Sequence, residues 1–400
     1  VIRAEVISTG TELLAGTPDS NFVEICRMLE PTGVEVRYHS TYGDRMEDLT
    51  LGLKTALARA EVVILTGGLG PTEDDLTRRA AAEVFHRPLR FRPEVWRRLR
   101  PRLRSARQLQ RVQAEFPEGA QVIENRIGTA PGFWIARPRG GFAALSGVPQ
   151  EMRDMMRRAV LPRLRRIAGP RPGGPPAVLR LFGVPESAAE EYIAPFLRRL
   201  GAAHGITARH GNVRITTDRR VARALERHLR RRFGDALYAV EDIELEEVVA
   251  RELLRRRWTL AVAESCTGGL VADRLTNVPG VSAVLREAVV AYANESKMAR
   301  LAVRAETLAA YGAVSRETAA QMAAGAALAA GTDAAVATTG VAGPASGTPR
   351  APVGRVFVAA YVRGRTWVEM HDFRGERRQI KERAADAALD LLRRAVAQWP

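Results

Sequence analysis

Apolar and polar positions follow two rhythms along this chain, and the change from one to the other marks its elements. Ile2–Ser8 reads as a buried strand, and Asp19 or Ser20 can cap a helix through Leu29. Val34–Tyr42 reads as a strand, Met46–Arg59 as a helix and Glu61–Thr66 as a further short apolar strand. Strands alternating with helices at this spacing predict βαβ units and a mostly parallel sheet. Such a sheet binds ligands beyond the carboxyl ends of its strands. Two glycine-bearing turns fall there: Thr9-Gly10-Thr11-Glu12, and the run from Gly67 and Gly68 through Gly70, Thr72 and Glu73 to Asp75.

The pattern breaks at Gly169-Pro170-Arg171-Pro172-Gly173-Gly174-Pro175-Pro176, a density of Pro and Gly that suits a linker. From Ala177 to Val240 the order reads strand, helix, strand, turn at His210-Gly211-Asn212, strand, helix, short strand, a small α+β unit of ferredoxin-like order. A third segment opens at Glu241, with a helix over Leu245–Arg257 and a strand over Thr259–Ala263. It then alternates α and β to a final helix near Glu376–Gln398. The expected fold class is therefore multidomain α/β. Residues 1–165 form a parallel-sheet domain, 166–240 a small α+β domain and 241–400 a second α/β domain.

Length and composition agree with that plan. The chain has 400 residues, 46% hydrophobic and 26% charged, which fits two or three globular domains and excludes a fibrous or disordered chain. Cys26 and Cys266 are too few for a disulfide framework and lack zinc-site spacing, so a reducing compartment is expected. The weakly polar run from Ala319 to Ala337 carries Gln321 and Asp333 and does not read as a membrane span. The opening residues lack a signal-peptide plan. The expectation is a cytoplasmic protein with no membrane partner.

Net charge is +16, but 58 of the 61 basic residues are arginine, a skew that looks like coding bias. The excess sits in residues 1–240, at +14, against +2 for the remainder. Arg-dense stretches at Arg87–Arg111, Arg153–Arg171 and Arg198–Arg232 read either as solvated helix faces or as a surface for phosphates or nucleic acid. Few aromatics interleave with them, which argues against a single-strand stacking platform.

The third segment holds most of the candidate chemistry. Ser265 sits where a strand ends and a helix begins, followed by Thr267, Gly268 and Gly269. Free backbone N–H groups there can cradle a phosphate, or form an oxyanion hole for a Ser265 nucleophile. A purely structural turn is the third reading. Lys297 changes the weighting. In a chain that uses arginine almost throughout, a lysine after Val289-Val290-Ala291-Tyr292-Ala293-Asn294 points to a need for an amine that can lose its proton. Ser–Lys pairs are one form of the nucleophile–base arrangement. No histidine neighbours either glycine loop in sequence. The run Thr338-Thr339-Gly340-Val341-Ala342-Gly343-Pro344, continuing through Gly347-Thr348 to Gly354, reads as a second pocket wall or as a long surface turn. In the first segment, Glu12, Asp44, Asp74 and Asp75 stand near strand ends and can hold Mg²⁺ or a similar hard cation bridged to phosphates. Helix capping by Glu73 and Asp74 is the alternative.

These motifs resemble the CinA family, the competence- and damage-inducible proteins, over essentially the whole chain. Glu264-Ser265-Cys266-Thr267-Gly268-Gly269, the Val-Ala-Tyr-x-Asn-x-x-Lys stretch ending at Lys297, Gly312-Ala313-Val314-Ser315 and Thr339-Gly340-Val341-Ala342-Gly343-Pro344 look like its C-terminal domain. The resemblance implies a nicotinamide-nucleotide amidohydrolase that converts nicotinamide mononucleotide to nicotinate mononucleotide and ammonia without a cofactor. Carried over, Ser265 is the nucleophile and Lys297 its base, with Tyr292, Thr339 and Arg377 in support. Thr267, Gly268, Gly269, Gly340 and Gly343 would line the substrate site. Lys381 falls where a second arginine is usual.

The first segment looks like the family's molybdopterin-binding-like domain. Thr9-Gly10-Thr11-Glu12-Leu13-Leu14, Asn21, Gly67-Gly68-Leu69-Gly70-Pro71-Thr72 and Gly128-Thr129-Ala130-Pro131-Gly132-Phe133 carry that match. Ser146-Gly147-Val148-Pro149 stands where Pro-Gly-x-Pro is usual. Two-domain members imply an ADP-ribose pyrophosphatase, giving AMP and ribose 5-phosphate with a divalent metal of the Mg, Mn or Co class. A homodimer is the family's habit. The alternative is a competence or DNA-damage accessory that binds a recombinase or DNA, with a first domain that binds ligand without turnover.

Overall fold

The computed structural model describes residues 2–103, 110–169, 174–344, 348–349 and 351–399. Pro170–Gly173 of the expected linker, Gly347 of the expected pocket wall and parts of two Arg-dense stretches lie outside the described residues. The chain divides into two compact units, Val1–Pro176 and Ala177–Pro400.

The first unit is built on β1 (Ile2–Thr9), α1 (Ser20–Leu29), β2 (Val34–Tyr42), α2 (Met46–Arg59), β3 (Val62–Thr66) and α3 (Thr77–Val84). Then follow β4 (Gln121–Ile123), β5 (Gly132–Arg137), β6 (Gly140–Leu145) and α4 (Pro149–Met155). The sheet order is β2-β1-β3-β6-β5-β4. The first four strands in that order pair in parallel; β5 and β4 extend the sheet antiparallel. Every residue of β3 is buried, as expected for a strand covered on both faces. Alternate side chains feed two cores: Val62 and Ile64 face one, Val63 and Leu65 the other. Asp19 caps α1, its Oδ1 accepting from the Phe22 N–H at 2.9 Å. The last helix of the unit runs over Leu161–Ala168 and stops at Gly169, whose φ of 67° ends it.

The second unit begins with β7 (Ala177–Phe182), α5 (Glu186–Arg199), β8 (His204–Arg209), β9 (Asn212–Thr217), α6 (Ala222–Phe233) and β10 (Leu237–Ala239). These make an antiparallel sheet of order β8-β9-β7-β10, the ferredoxin-like arrangement. After it come α7 (Leu245–Arg256), β11 (Leu260–Glu264), α8 (Leu270–Thr276), β12 (Leu285–Val290), α9 (Asn294–Leu301), α10 (Arg316–Ala330), β13 (Ala334–Gly340), β14 (Arg355–Val362), β15 (Arg365–Asp372) and α11 (Arg377–Ala397). Their sheet order is β12-β11-β13-β14-β15, parallel across the first three and antiparallel across the rest. Leu260 and Val262 face the core shared with α7, α8 and α11; Ala261 and Ala263 face α9 and α10.

Two strands run past their expected ends. β11, expected over Thr259–Ala263, includes Glu264, paired with Val290, and β13, whose apolar part reads as a strand over Asp333–Ala337, continues to Gly340, paired with Val356. In both cases ladder pairing holds polar residues that apolar patterning alone assigns to a loop. One largely buried ion network, with Asp386 at its buried end, joins three helices here. The Arg274 guanidinium of α8 donates to Asp386 Oδ1 of α11 at 2.7 Å and to Glu246 Oε2 of α7 at 2.6 Å. Burial pushes the Asp386 carboxyl up to about 6 even beside that guanidinium.

Candidate functional site

Parallel neighbours β11 and β12 both end at the same edge of their sheet. Ser265 follows β11, and α9 opens shortly after β12 and carries Lys297. Both are buried, Ser265 at 8% exposure and Lys297 at 2%. Lys297 Nζ lies 3.2 Å from Ser265 Oγ. The carbonyls of Ala291 and Tyr292 accept from Nζ at 3.0 and 3.1 Å. A neutral amine has two N–H bonds and one lone pair. With the amine neutral, the two carbonyls would take its N–H bonds and leave the lone pair toward the serine hydroxyl; with the amine protonated, Nζ donates to all three oxygens. Burial lowers the Lys297 pKa, against smaller upward contributions from Cys266 and Glu295. The neighbouring Cys266 thiol is pushed up to about 12, chiefly by burial, which removes it as a thiolate nucleophile near neutral pH.

The expectation that Gly268 and Gly269 offer free amides does not hold. Gly268 N–H donates to the Ser265 carbonyl at 3.1 Å. Gly269 N–H donates to Glu264 Oε2 at 2.9 Å. The same carboxylate accepts from Val271 and Ala272 N–H at 3.2 and 2.9 Å. Glu264, 1% exposed, thus satisfies the start of α8 from inside the protein. The sequence carries one signal for this role that motif matching does not use, an acid just before a helix start. The glycines serve the turn itself, with φ of 60° at Gly268 and 94° at Gly269.

Around this pair, Thr267 and Thr338 hydroxyls bond at 2.7 Å. Thr339 Oγ1 donates to the Ala313 carbonyl at 2.6 Å and is 1% exposed, so its hydroxyl ties β13 to the loop before α10. Gly340 and Gly343 leave no room for a Cβ, which would meet the Arg355 carbonyl at 2.7 Å and Val353 Cγ1 at 2.6 Å. The Arg377 guanidinium donates to the Gly343 carbonyl at 2.5 Å and to Tyr292 Oη at 2.9 Å. Tyr292 is 61% exposed and its carbonyl holds Lys297, so Arg377, Tyr292, Lys297 and Ser265 form one connected set. One turn further along α11, Lys381 Nζ comes within 3.5 Å of where a Gly268 Cβ would stand.

The first unit has a cleft of about 400 Å³ beyond its strand ends. Gly10, Glu12, Asp44, Gly67, Gly68, Gly70, Asp74 and Asp75 all border it. Gly67 is required there, because its φ is 109° and a Cβ would lie 2.3 Å from the Thr9 carbonyl. The carboxylates share the cleft without converging: among the described residues no three acidic, His or Cys side chains come together as a metal cage. Asp44 Oδ2 accepts from Thr11 N–H and Oγ1 at 2.9 and 2.8 Å. Asp75 accepts from Gly70 and Thr72 N–H at 2.7 and 2.8 Å and from Thr72 Oγ1. Glu12 and Asp74 have no side-chain hydrogen bond among the described residues. Capping of α3 by Glu73 or Asp74 is not seen, since its N-cap is Leu76 without a side-chain bond. Asp75→Ala is expected to loosen the glycine turn and lower unfolding stability by about 1–3 kcal/mol, read by denaturant titration.

Several arginines of the basic stretches hold the fold. Arg102 donates to the Asn125, Arg126 and Ile127 carbonyls, Arg163 to Ala159, and Arg158 pairs with Asp154. No helix among the described residues is long and apolar enough to cross a membrane.

An α/β protein with a glycine-lined cleft in one unit and a buried Ser–Lys pair in the other is the class these features define. Comparison with known proteins narrows it. The model described as "CinA C-terminal domain" matches residues 242–396, and that described as "Probable molybdopterin binding domain" matches residues 5–166. A CinA-like protein of Kosmotoga olearia is 39% identical over 412 aligned positions, covering 99% of both chains. A protein of Clostridium botulinum named as competence-damage inducible is 38% identical, covering 98% of this chain and 99% of its own. The crystal structure of a competence-damaged protein (CinA) superfamily member from Klebsiella pneumoniae is 37% identical, with TM-score 0.38; the match covers 39% of this chain and 97% of that one. The chain belongs to the CinA family.

Proposed function

We propose that residues 241–400 form an amidohydrolase that acts on nicotinamide mononucleotide. The observation that carries this reading is the 3.2 Å approach of a buried, desolvated lysine amine to the Ser265 hydroxyl. The neutral amine takes the Ser265 proton as Oγ bonds to the carboxamide carbon, and the carbonyl electron pair moves onto oxygen. Because Gly268 and Gly269 amides are engaged, the Cys266 and Thr267 amides of the same turn are left for that oxyanion. Collapse breaks the C–N bond, and the amine leaves as ammonia with the proton from Lys297. Water then loses a proton to Lys297, attacks the ester, and releases nicotinate mononucleotide while Ser265 regains its proton. Arg377, Tyr292 and Lys381, grouped beside the pair, supply the polar contacts for the nucleotide's phosphate. Ammonia release from nicotinamide mononucleotide by the full chain tests the reading; none above background would sink it.

The active form has Lys297 neutral. A lowered lysine pKa therefore predicts that kcat/KM rises with pH and levels off below the ordinary lysine value of about 10.4. A rate–pH profile checks this. Tyr292→Phe keeps the ring but frees Arg377, and is expected to raise KM by roughly 3–10-fold with little change in kcat.

For the first unit the proposed reaction is hydrolysis of ADP-ribose to AMP and ribose 5-phosphate. Its support is the cleft lined by glycine turns and carboxylates. A hard cation that shares its coordination with phosphate and water needs only one or two carboxylates, and on those terms the donor set fits. Glu12 and Asp74, whose carboxylates carry no other bond, would hold it, and it would neutralise charge on the pyrophosphate. AMP formation with Mg²⁺, and its loss in EDTA, is the expected result.

A further inference from the structure

Gln113 stands apart among the buried polar side chains of the first unit. It lies on the single turn Arg111–Ala114, is 1% exposed, and borders the glycine-lined cleft. Its Oε1 is buried without a partner, and its side chain makes no hydrogen bond to any described residue. Neither end is bonded, so turning the amide over moves the buried orphan from Oε1 to Nε2 and satisfies neither. A buried amide in this state is costly, so native chains almost always satisfy it. Two further orphans stand behind the same cleft. Asn21 Oδ1 is one, while Asn21 Nδ2 holds the Gly147 carbonyl at 2.7 Å. Arg78 Nε is the other, while the rest of that guanidinium holds the Leu69 and Gly70 carbonyls. The residues that shape the cleft are thus ordered at a cost in unmet hydrogen bonds.

We infer that Gln113 reads the nucleoside part of a nucleotide bound in this cleft, an inference that rests on the nucleotide reading of the cleft given above. An ionised phosphate has only acceptors, so it can satisfy Nε2 and leaves Oε1 an orphan. A ribose hydroxyl or a base carrying an exocyclic amine offers donor and acceptor together and satisfies both ends of the amide. The phosphates then fall to the glycine turns and Gln113 selects for what is attached to them.

The test uses the full chain and two probes in EDTA, where ADP-ribose is not turned over: ADP-ribose, which carries donors on its nucleoside, and inorganic pyrophosphate, which does not. Gln113→Leu and Gln113→Met replace the amide with apolar groups of similar volume. Both variants are expected to keep the melting temperature of the ligand-free protein or raise it by about 2–4 °C, because an unmet buried group is removed. Both are expected to weaken ADP-ribose binding about 10-fold or more by calorimetry, with pyrophosphate binding unchanged. A fall in melting temperature of that size in both variants, or ADP-ribose bound as tightly as by wild type, overturns the assignment of Gln113 alone. Equal weakening of both probes overturns its nucleoside selectivity. A wild-type protein that binds neither probe overturns the nucleotide reading of the cleft, and this inference with it.

Discussion

Ser265→Ala and Lys297→Ala are each expected to lower ammonia release from nicotinamide mononucleotide by roughly four to six orders of magnitude, and the double variant to lose little more. Nucleophile and base act as one unit, so their deletions do not add. Lys297→Arg is expected to be as inactive as Lys297→Ala, because a guanidinium keeps its proton. Lys297→Met separates chemistry from folding, since it preserves the buried stem and removes only the amine that bridges Ser265, Ala291 and Tyr292. It should melt near wild type and remain inactive. Wild-type turnover in either alanine variant would exclude the dyad.

The largest stability effect is expected at Arg274. Removing it by Arg274→Ala leaves the buried Asp386 carboxylate and the partly buried Glu246 carboxylate without their shared cation. Breaking such a pair from one side costs about 3–5 kcal/mol. For a unit of this size that corresponds to roughly 10 °C in melting temperature. The sign of its pH dependence follows from Asp386. Its folded-state pKa, about 6, is above the ordinary aspartate value of about 3.9, so the native state holds the proton more tightly. This group's contribution to stability is greatest below the lower value and declines as pH rises through the folded pKa. Loss of Arg274 pushes that pKa further up. The deficit of the variant is therefore smallest near pH 5 and widens toward pH 8, which melting curves across that range will register. An equal deficit at both ends would show that the network is not the cause.

Much of this architecture is legible in the sequence because apolar patterning is local. The boundaries of the three strands and two long helices of residues 2–66 follow from it within a residue, though the one-turn helix Thr11–Leu14 reads as a turn, and the βαββαβ order of residues 177–240 follows as well. Lys297 stands out for a compositional reason: it is one of only three lysines against 58 arginines. What patterning misses depends on contacts between distant segments or on groups that change partners. Glu264 closes a strand by pairing with Val290 and then satisfies the amides that follow it, two roles that neighbouring residues do not announce. The acidic run after Gly70 misleads in the opposite sense. Adjacent carboxylates look like a ligand cluster, yet Asp75 turns back onto the Gly70 and Thr72 amides while Asp74 stays unbonded. Gln113 gives no sequence signal, because an unmet hydrogen bond exists only once burial is known.

The Glu264 carboxylate has a consequence for inhibition. With a fixed negative group already seated on the amides that open α8, a mobile oxyanion finds that place taken and its own charge repelled. On the proposed amidohydrolase reading, sulfate or inorganic phosphate should therefore compete with substrate through the cationic side chains nearby, Arg377 and Lys381. That competition should fade as ionic strength screens them, with the buried pair proposed as nucleophile and base left unaffected.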